Sequence, residues 1–124
     1  IVTGLVGSEM CIRDSLSVAV NFGGRWDIVN AARTLAQQVA SGTLLPEDLN
    51  ENAFASAMSL TDIPEPDLMI RTGGDHRISN FLLWDLAYTE LYFTDIFWPD
   101  FDAAALQEAV ATYAQRKRRF GRRQ

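Results

Sequence analysis

Cysteine occurs once, at Cys11, so no disulfide can staple the fold within the chain, and a reducing cytoplasm is the expected setting. No apolar run approaches the roughly 18 residues that a bilayer span needs. No basic stretch leads into a long apolar core, so nothing supports a signal peptide. Histidine also occurs once, at His76, and an isolated histidine is more often structural than catalytic. Repeats, low-complexity tracts and a second-domain signal are missing as well. What remains is 124 residues, 48% hydrophobic and 22% charged, which fits one soluble globular domain or part of one.

Charge is unevenly placed. The net charge is −5, yet Arg116, Lys117, Arg118, Arg119, Arg122 and Arg123 put a basic run at the end of the chain, with every acidic residue before it. Such a tail meets something anionic: a phosphate, a nucleic acid, lipid head groups or a partner subunit. A nucleic-acid patch is the weakest of these, because the acidic body repels a polyanion.

Residues 1–15 keep no sustained period, and GLVGSEMCIRDS resembles translated sequencing-adapter read-through, so residues 1–15 read as a non-native leader and residues 16–124 as the domain proper. From Leu16 the pattern sharpens. Leu16, Val18, Val20 and Phe22 alternate with small or polar residues, which predicts a strand. Asn21-Phe22-Gly23-Gly24-Arg25 then turns into a helix near Trp26, with Ile28, Ala32, Leu35 and Val39 as its inner face and Gly42 as its stop. Pro46 and Asn50 open short helices that bury Leu49, Phe54, Ala57 and Met58. A second strand is expected over 67–71, a helical turn or two from Asn80 to about Tyr88, and a third strand over 90–94. The last helix starts at Asp102 as N-cap, with Phe101 able to staple against Leu106; Leu106, Val110 and Tyr113 form its inner face and Gly121 stops it. Trp26, Trp84 and Trp98 are expected in the core. This rhythm predicts an α/β fold with a mainly parallel sheet and flanking helices. Ligands in such folds bind beyond the carboxyl ends of strands, where Gly23-Gly24 and Gly73-Gly74 both fall.

The second glycine corner is the richer one: Arg71-Thr72-Gly73-Gly74-Asp75-His76-Arg77-Ile78-Ser79-Asn80. Paired glycines turn the backbone tightly and bring N–H groups close to a ligand. Arginine forks suit phosphate oxygens, and a helix starting near Ser79 or Asn80 adds a favourable dipole. The stretch matches neither the P-loop nor the dinucleotide fingerprint. By themselves these residues describe a phosphate or diphosphate corner and a tight turn with solvated arginines equally well.

Asn21 to Arg25, Asp67 to Trp84 and Ala87 to Phe93, in that order and spacing, resemble the cis-prenyltransferases, and within them the bacterial undecaprenyl diphosphate synthases; the resemblance covers essentially all of residues 16–124. It implies condensation of isopentenyl diphosphate onto an allylic diphosphate of the farnesyl type, with Mg²⁺, to make a polyprenyl diphosphate lipid carrier. It implies that Arg71, Arg77 and Ser79 bind the isopentenyl diphosphate, that Glu90 holds Mg²⁺, and that Arg119-Phe120-Gly121 reaches a neighbouring subunit's site in a homodimer. His76, between Asp75 and Arg77, takes a site role as proton or hydrogen-bond partner, with Asp75 orienting either neighbour. Arg25 either meets substrate or pairs with a carboxylate such as Asp27. Leu82, Leu86, Tyr92 and Phe93 are candidates for the family's hydrophobic product tunnel or for plain core packing. No nucleic-acid partner is implied, and the lipid product leaves room for peripheral membrane association.

Phe22 stands where the family's tyrosine is familiar, and Asp75 where glutamate is also common; both departures are mild. The Asp-Gly-Asn-Gly-Arg-Trp loop, which carries the family's metal-binding aspartate and meets the allylic diphosphate, does not occur in this sequence. The chain therefore reads as the C-terminal half of a cis-prenyltransferase, inactive alone. The alternative is a noncatalytic partner subunit of a heteromeric prenyltransferase. Such subunits tend to lose substrate-site residues, whereas Arg71, Arg77, Ser79 and Glu90 are all present.

Overall fold

Alternation of apolar with small or polar residues produces the predicted strand, and its partner comes from just upstream. The computed structural model describes residues 4–11 and 14–116, which cluster into two units. In the first, residues 1–64 with 80–82, β1 (Gly4–Cys11) pairs antiparallel with β2 (Asp14–Val20). Two residues separate these strands, a connection that permits only antiparallel pairing. The stretch that reads as a foreign leader thus lends its backbone to the exposed edge of β2, an edge that any extended chain can satisfy.

Helix α1 (Gly24–Ala40) follows, and Gly42, at φ 78, ends it in the left-handed conformation that glycine adopts freely. Its buried stripe is Gly24, Asp27, Ala31 and Leu35, displaced from the predicted one: Ala32 is exposed and Ile28 and Val39 are half-buried. The displacement follows from a carboxylate that sits inside. Asp27, 1% exposed, accepts from the Ser59 hydroxyl at 2.6 Å and from its backbone N–H at 3.1 Å, which draws the polar side of the helix inward. A 3-10 turn at Pro46–Asp48 and α2 (Glu51–Ser56) form where expected, with Asn50 capping the Ala53 N–H. Met58 is buried, while Leu49 is exposed.

The second unit, residues 65–79 with 83–124, holds the parallel pair. Strands β3 (Leu68–Arg71) and β4 (Glu90–Phe93) run in register from Leu68 opposite Glu90 to Arg71 opposite Phe93. The predicted helix over 80–88 does not form; turns fill the connection. The cause is local. Ser79 and Asn80 sit at φ 52 and 61, which no right-handed helix accommodates. Helix α3 (Ala103–Gln115) starts as predicted, with Asp102 accepting from the Ala105 N–H at 2.9 Å. It buries Ala105 and Ala109, while Leu106 and Val110 are exposed, so the inner face lies one residue away from the predicted one. Among the tryptophans, Trp26 and Trp98 are exposed and Trp84 is half-buried.

Candidate functional site

The site is built on the last residue of β3. Arg71 leaves the strand at its carboxyl end, and Gly73 and Gly74, at φ 90 and 86, bend the chain back over it. The bend brings Asp75 between two guanidinium groups. Arg71 donates to Asp75 Oδ2 at 3.0 Å and to the Arg77 carbonyl at 2.8 Å, and Arg77 donates to Asp75 Oδ1 at 2.9 Å. One carboxylate thus holds two forks, each oxygen taking one of them. Asp75 is half exposed and the Arg77 side chain is 73% exposed, so these pairs add little to stability; their effect is to fix where two cations point.

The glycine amides are already engaged. The Gly73 N–H donates to the Ile96 carbonyl at 2.9 Å and the Gly74 N–H to the Thr94 carbonyl at 3.0 Å. An anion here therefore meets guanidinium donors and not an open backbone cradle, which corrects the expectation from the paired glycines. The expected helix dipole is gone as well, because no helix begins at Ser79 or Asn80. Ser79 is exposed two residues beyond Arg77, and among the described residues no hydrogen bond ties it to either guanidinium. His76 makes no bond to Asp75 and stacks on Phe93, with ring centroids 5.0 Å apart and planes 20° apart. Of the two neighbours that Asp75 could orient, it holds Arg77.

Glu90, at the opposite end of β4 from Phe93, pairs with Arg116 at 2.9 Å, and Arg116 also donates to the Leu91 carbonyl at 2.7 Å. Among the described residues no three of His, Cys, Asp or Glu lie close enough to hold a metal ion. Glu90 offers a divalent cation one carboxylate, which suits Mg²⁺ only beside phosphate oxygens, water and ligands from elsewhere. Arg119 and Gly121 lie outside the described residues.

The other glycine corner is closed from within its own unit. The Asn80 carbonyl accepts from the Gly24 N–H at 2.8 Å, and Asn80 Oδ1 accepts from the Arg25 N–H at 2.9 Å. Helix α1 has no capping side chain of its own at Gly23, so it borrows one across 55 residues. Asp27 is committed to Ser59 and is not a partner for the Arg25 side chain. The sequence signal for Asn80 was a glycine, in place of Ser, Thr, Asp or Asn, at the cap position of α1; Phe93 was read as a tunnel or core residue and Arg116 as part of the basic tail, and neither reading pointed to His76 or Glu90.

Comparison with known proteins gives the chain's family. A prenyltransferase family profile, described as undecaprenyl diphosphate synthase, matches residues 9–121. The ditrans,polycis-undecaprenyl-diphosphate synthase ((2E,6E)-farnesyl-diphosphate specific) of Xanthomonas axonopodis pv. citri is 60% identical over 106 residues, 86% of this chain and 41% of that protein. Its counterpart in Xanthomonas campestris pv. campestris is 61% identical over the same shares. Among solved structures, lavandulyl diphosphate synthase from Lavandula x intermedia, in complex with dimethylallyl diphosphate, matches with a TM-score of 0.81 and 48% identity, over 84% of this chain and 45% of that one. The chain spans less than half the length of these relatives. With the family profile covering nearly all of the described residues, the chain belongs to the cis-prenyltransferase family.

Proposed function

We propose that this chain carries the isopentenyl diphosphate side of a cis-prenyl transfer, in which isopentenyl diphosphate is condensed onto an allylic diphosphate of the farnesyl type to make a polyprenyl diphosphate. The observation that supports it best is the Arg71–Asp75–Arg77 cluster at the carboxyl end of a parallel strand. Two guanidiniums held at a fixed spacing by one carboxylate offer paired N–H donors to a dense dianion. Holding the homoallylic substrate there makes the bond-forming step effectively unimolecular. Ser79 adds a hydroxyl at the far end of the same loop, and Arg119 and Gly121 in the basic tail extend the reading to a neighbouring subunit in a homodimer. Mg²⁺ belongs to the proposal too: it would neutralise charge building on the departing allylic diphosphate, with Glu90 as one of its ligands.

The 124-residue chain alone is expected to turn over no isopentenyl diphosphate, since its sequence has no Asp-Gly-Asn-Gly-Arg-Trp loop to meet the allylic substrate. The test is a chimera in which residues 16–124 replace the matching segment of the Xanthomonas axonopodis relative. Arg77→Ala in that enzyme should raise the KM for isopentenyl diphosphate about tenfold or more and lower kcat, as expected when a charged hydrogen bond worth about 1.5–3 kcal/mol is lost. Unchanged kinetics would remove Arg77 from the site. A chimera that folds but never turns over would favour the partner-subunit reading.

A further inference from the structure

Arg71 and Phe93 are register partners in the β3–β4 pair, and partners in a pleated sheet project to the same face. Each holds the loop that folds back over them. Arg71 grips it through polar bonds to Asp75 and to the Arg77 carbonyl, and Phe93 through the stack on His76. The amides of Gly73 and Gly74 complete the attachment by donating to the carbonyls just beyond β4.

Among the described residues His76 has no polar anchor of its own. Asp75, the adjacent carboxylate, is spent on the two arginines, and among the described residues neither imidazole nitrogen makes a hydrogen bond to a carboxylate or carbonyl. A flat ring against a flat ring, 5.0 Å apart and 20° from parallel, restricts rotation of the imidazole and leaves both nitrogens free at its edge. We propose that Phe93 is the positioning residue for His76: its face sets the imidazole plane, and so aims the nitrogens at a substrate held by Arg71 and Arg77. The inference rests on the diphosphate reading of that arginine pair.

As the sole histidine, His76 gives one unmistakable imidazole Cε1–H proton resonance in the 124-residue chain. A proton over an aromatic face is shielded. The resonance should lie upfield in the native chain and in Phe93→Tyr, and move downfield towards the position of an unstructured peptide in Phe93→Leu. In the chimeric enzyme, Phe93→Leu should cut kcat about tenfold or more while the KM for isopentenyl diphosphate stays within about twofold, because misaiming a group costs rate more than binding. Phe93→Tyr should restore both. If Phe93→Leu fails to fold, Phe93→Met takes its place in each measurement. An unmoved His76 resonance in the folded variant overturns the proposal, as does a rise in KM at unchanged kcat. A His76→Ala enzyme with full kcat also overturns it, since there would be nothing to aim; the Arg77→Ala result would still stand as the separate test of the diphosphate reading.

Discussion

Ser79 holds a left-handed backbone, φ 52, that a serine adopts only at a cost of about 1–2 kcal/mol. Strain of this kind gathers at ligand clamps, and here it falls on the hydroxyl the resemblance assigns to the diphosphate. Two substitutions separate backbone from hydroxyl. Ser79→Gly should leave the denaturation midpoint unchanged or raise stability by up to about 1 kcal/mol, the relieved strain being partly offset by glycine's unfolded-state entropy. Ser79→Ala should not raise it. Both should weaken diphosphate binding in the chimera; if only one does, the hydroxyl is not the ligand. Asp27 poses the opposite case, a buried carboxylate with a structural task. Asp27→Ala leaves two Ser59 donors without their acceptor and should cost about 1–3 kcal/mol by urea denaturation, more than Ser59→Ala, which removes only the hydroxyl bond.

Helix α1 shows what an element's own residues can and cannot announce. Its existence and stop were legible from Trp26 to Gly42, because helical spacing and a glycine end are local signals. Its rotation was not, because Asp27 looks like a solvent-facing residue until Ser59 is seen opposite it. Its capping group was not either, because the cap belongs to a residue 55 positions away. That cap makes a testable pair. A Cβ on Gly23 would lie 2.8 Å from Asn80 Nδ2, and the Asn80 amide cannot swing aside without releasing the Arg25 N–H. Gly23→Ala and Asn80→Ala should each cost about 1 kcal/mol, the usual worth of a helix cap. The double variant should cost well short of their sum, since each destroys the same bonds. Additive losses in a double-mutant cycle would show that the two positions act separately. Helix α3 repeats the lesson at its inner face: small Ala105 and Ala109 pack inward, and the bulkier Leu106 and Val110, which hydropathy favours for the core, are left outside.

For the whole chain, motif order fixed the family while apolar pattern overstated the core. The arginine loop was legible because its residues are adjacent in sequence; the left-handed Asn80, where the expected 80–88 helix would begin, was not, since it answers to the amides of α1. The larger discrepancy is exposure. Phe97 is 67% and Trp98 74% exposed, and with Ile70, Phe101 and Leu106 the second unit keeps an apolar hollow of about 390 Å³ lined in part by Trp98. The chain covers 41% of the Xanthomonas relative, and uncovered apolar surface of this kind drives association in water. The isolated chain should therefore self-associate as its concentration rises. Leu106→Lys with Val110→Lys should suppress that association in light scattering and leave helix content by circular dichroism unchanged, because α3 is anchored through Ala105 and Ala109 on its other side. Association that persists in the double variant would mean that the adhesive surface lies elsewhere, with the exposed Leu16, Val18 and Val20 of β2 as the next face to substitute.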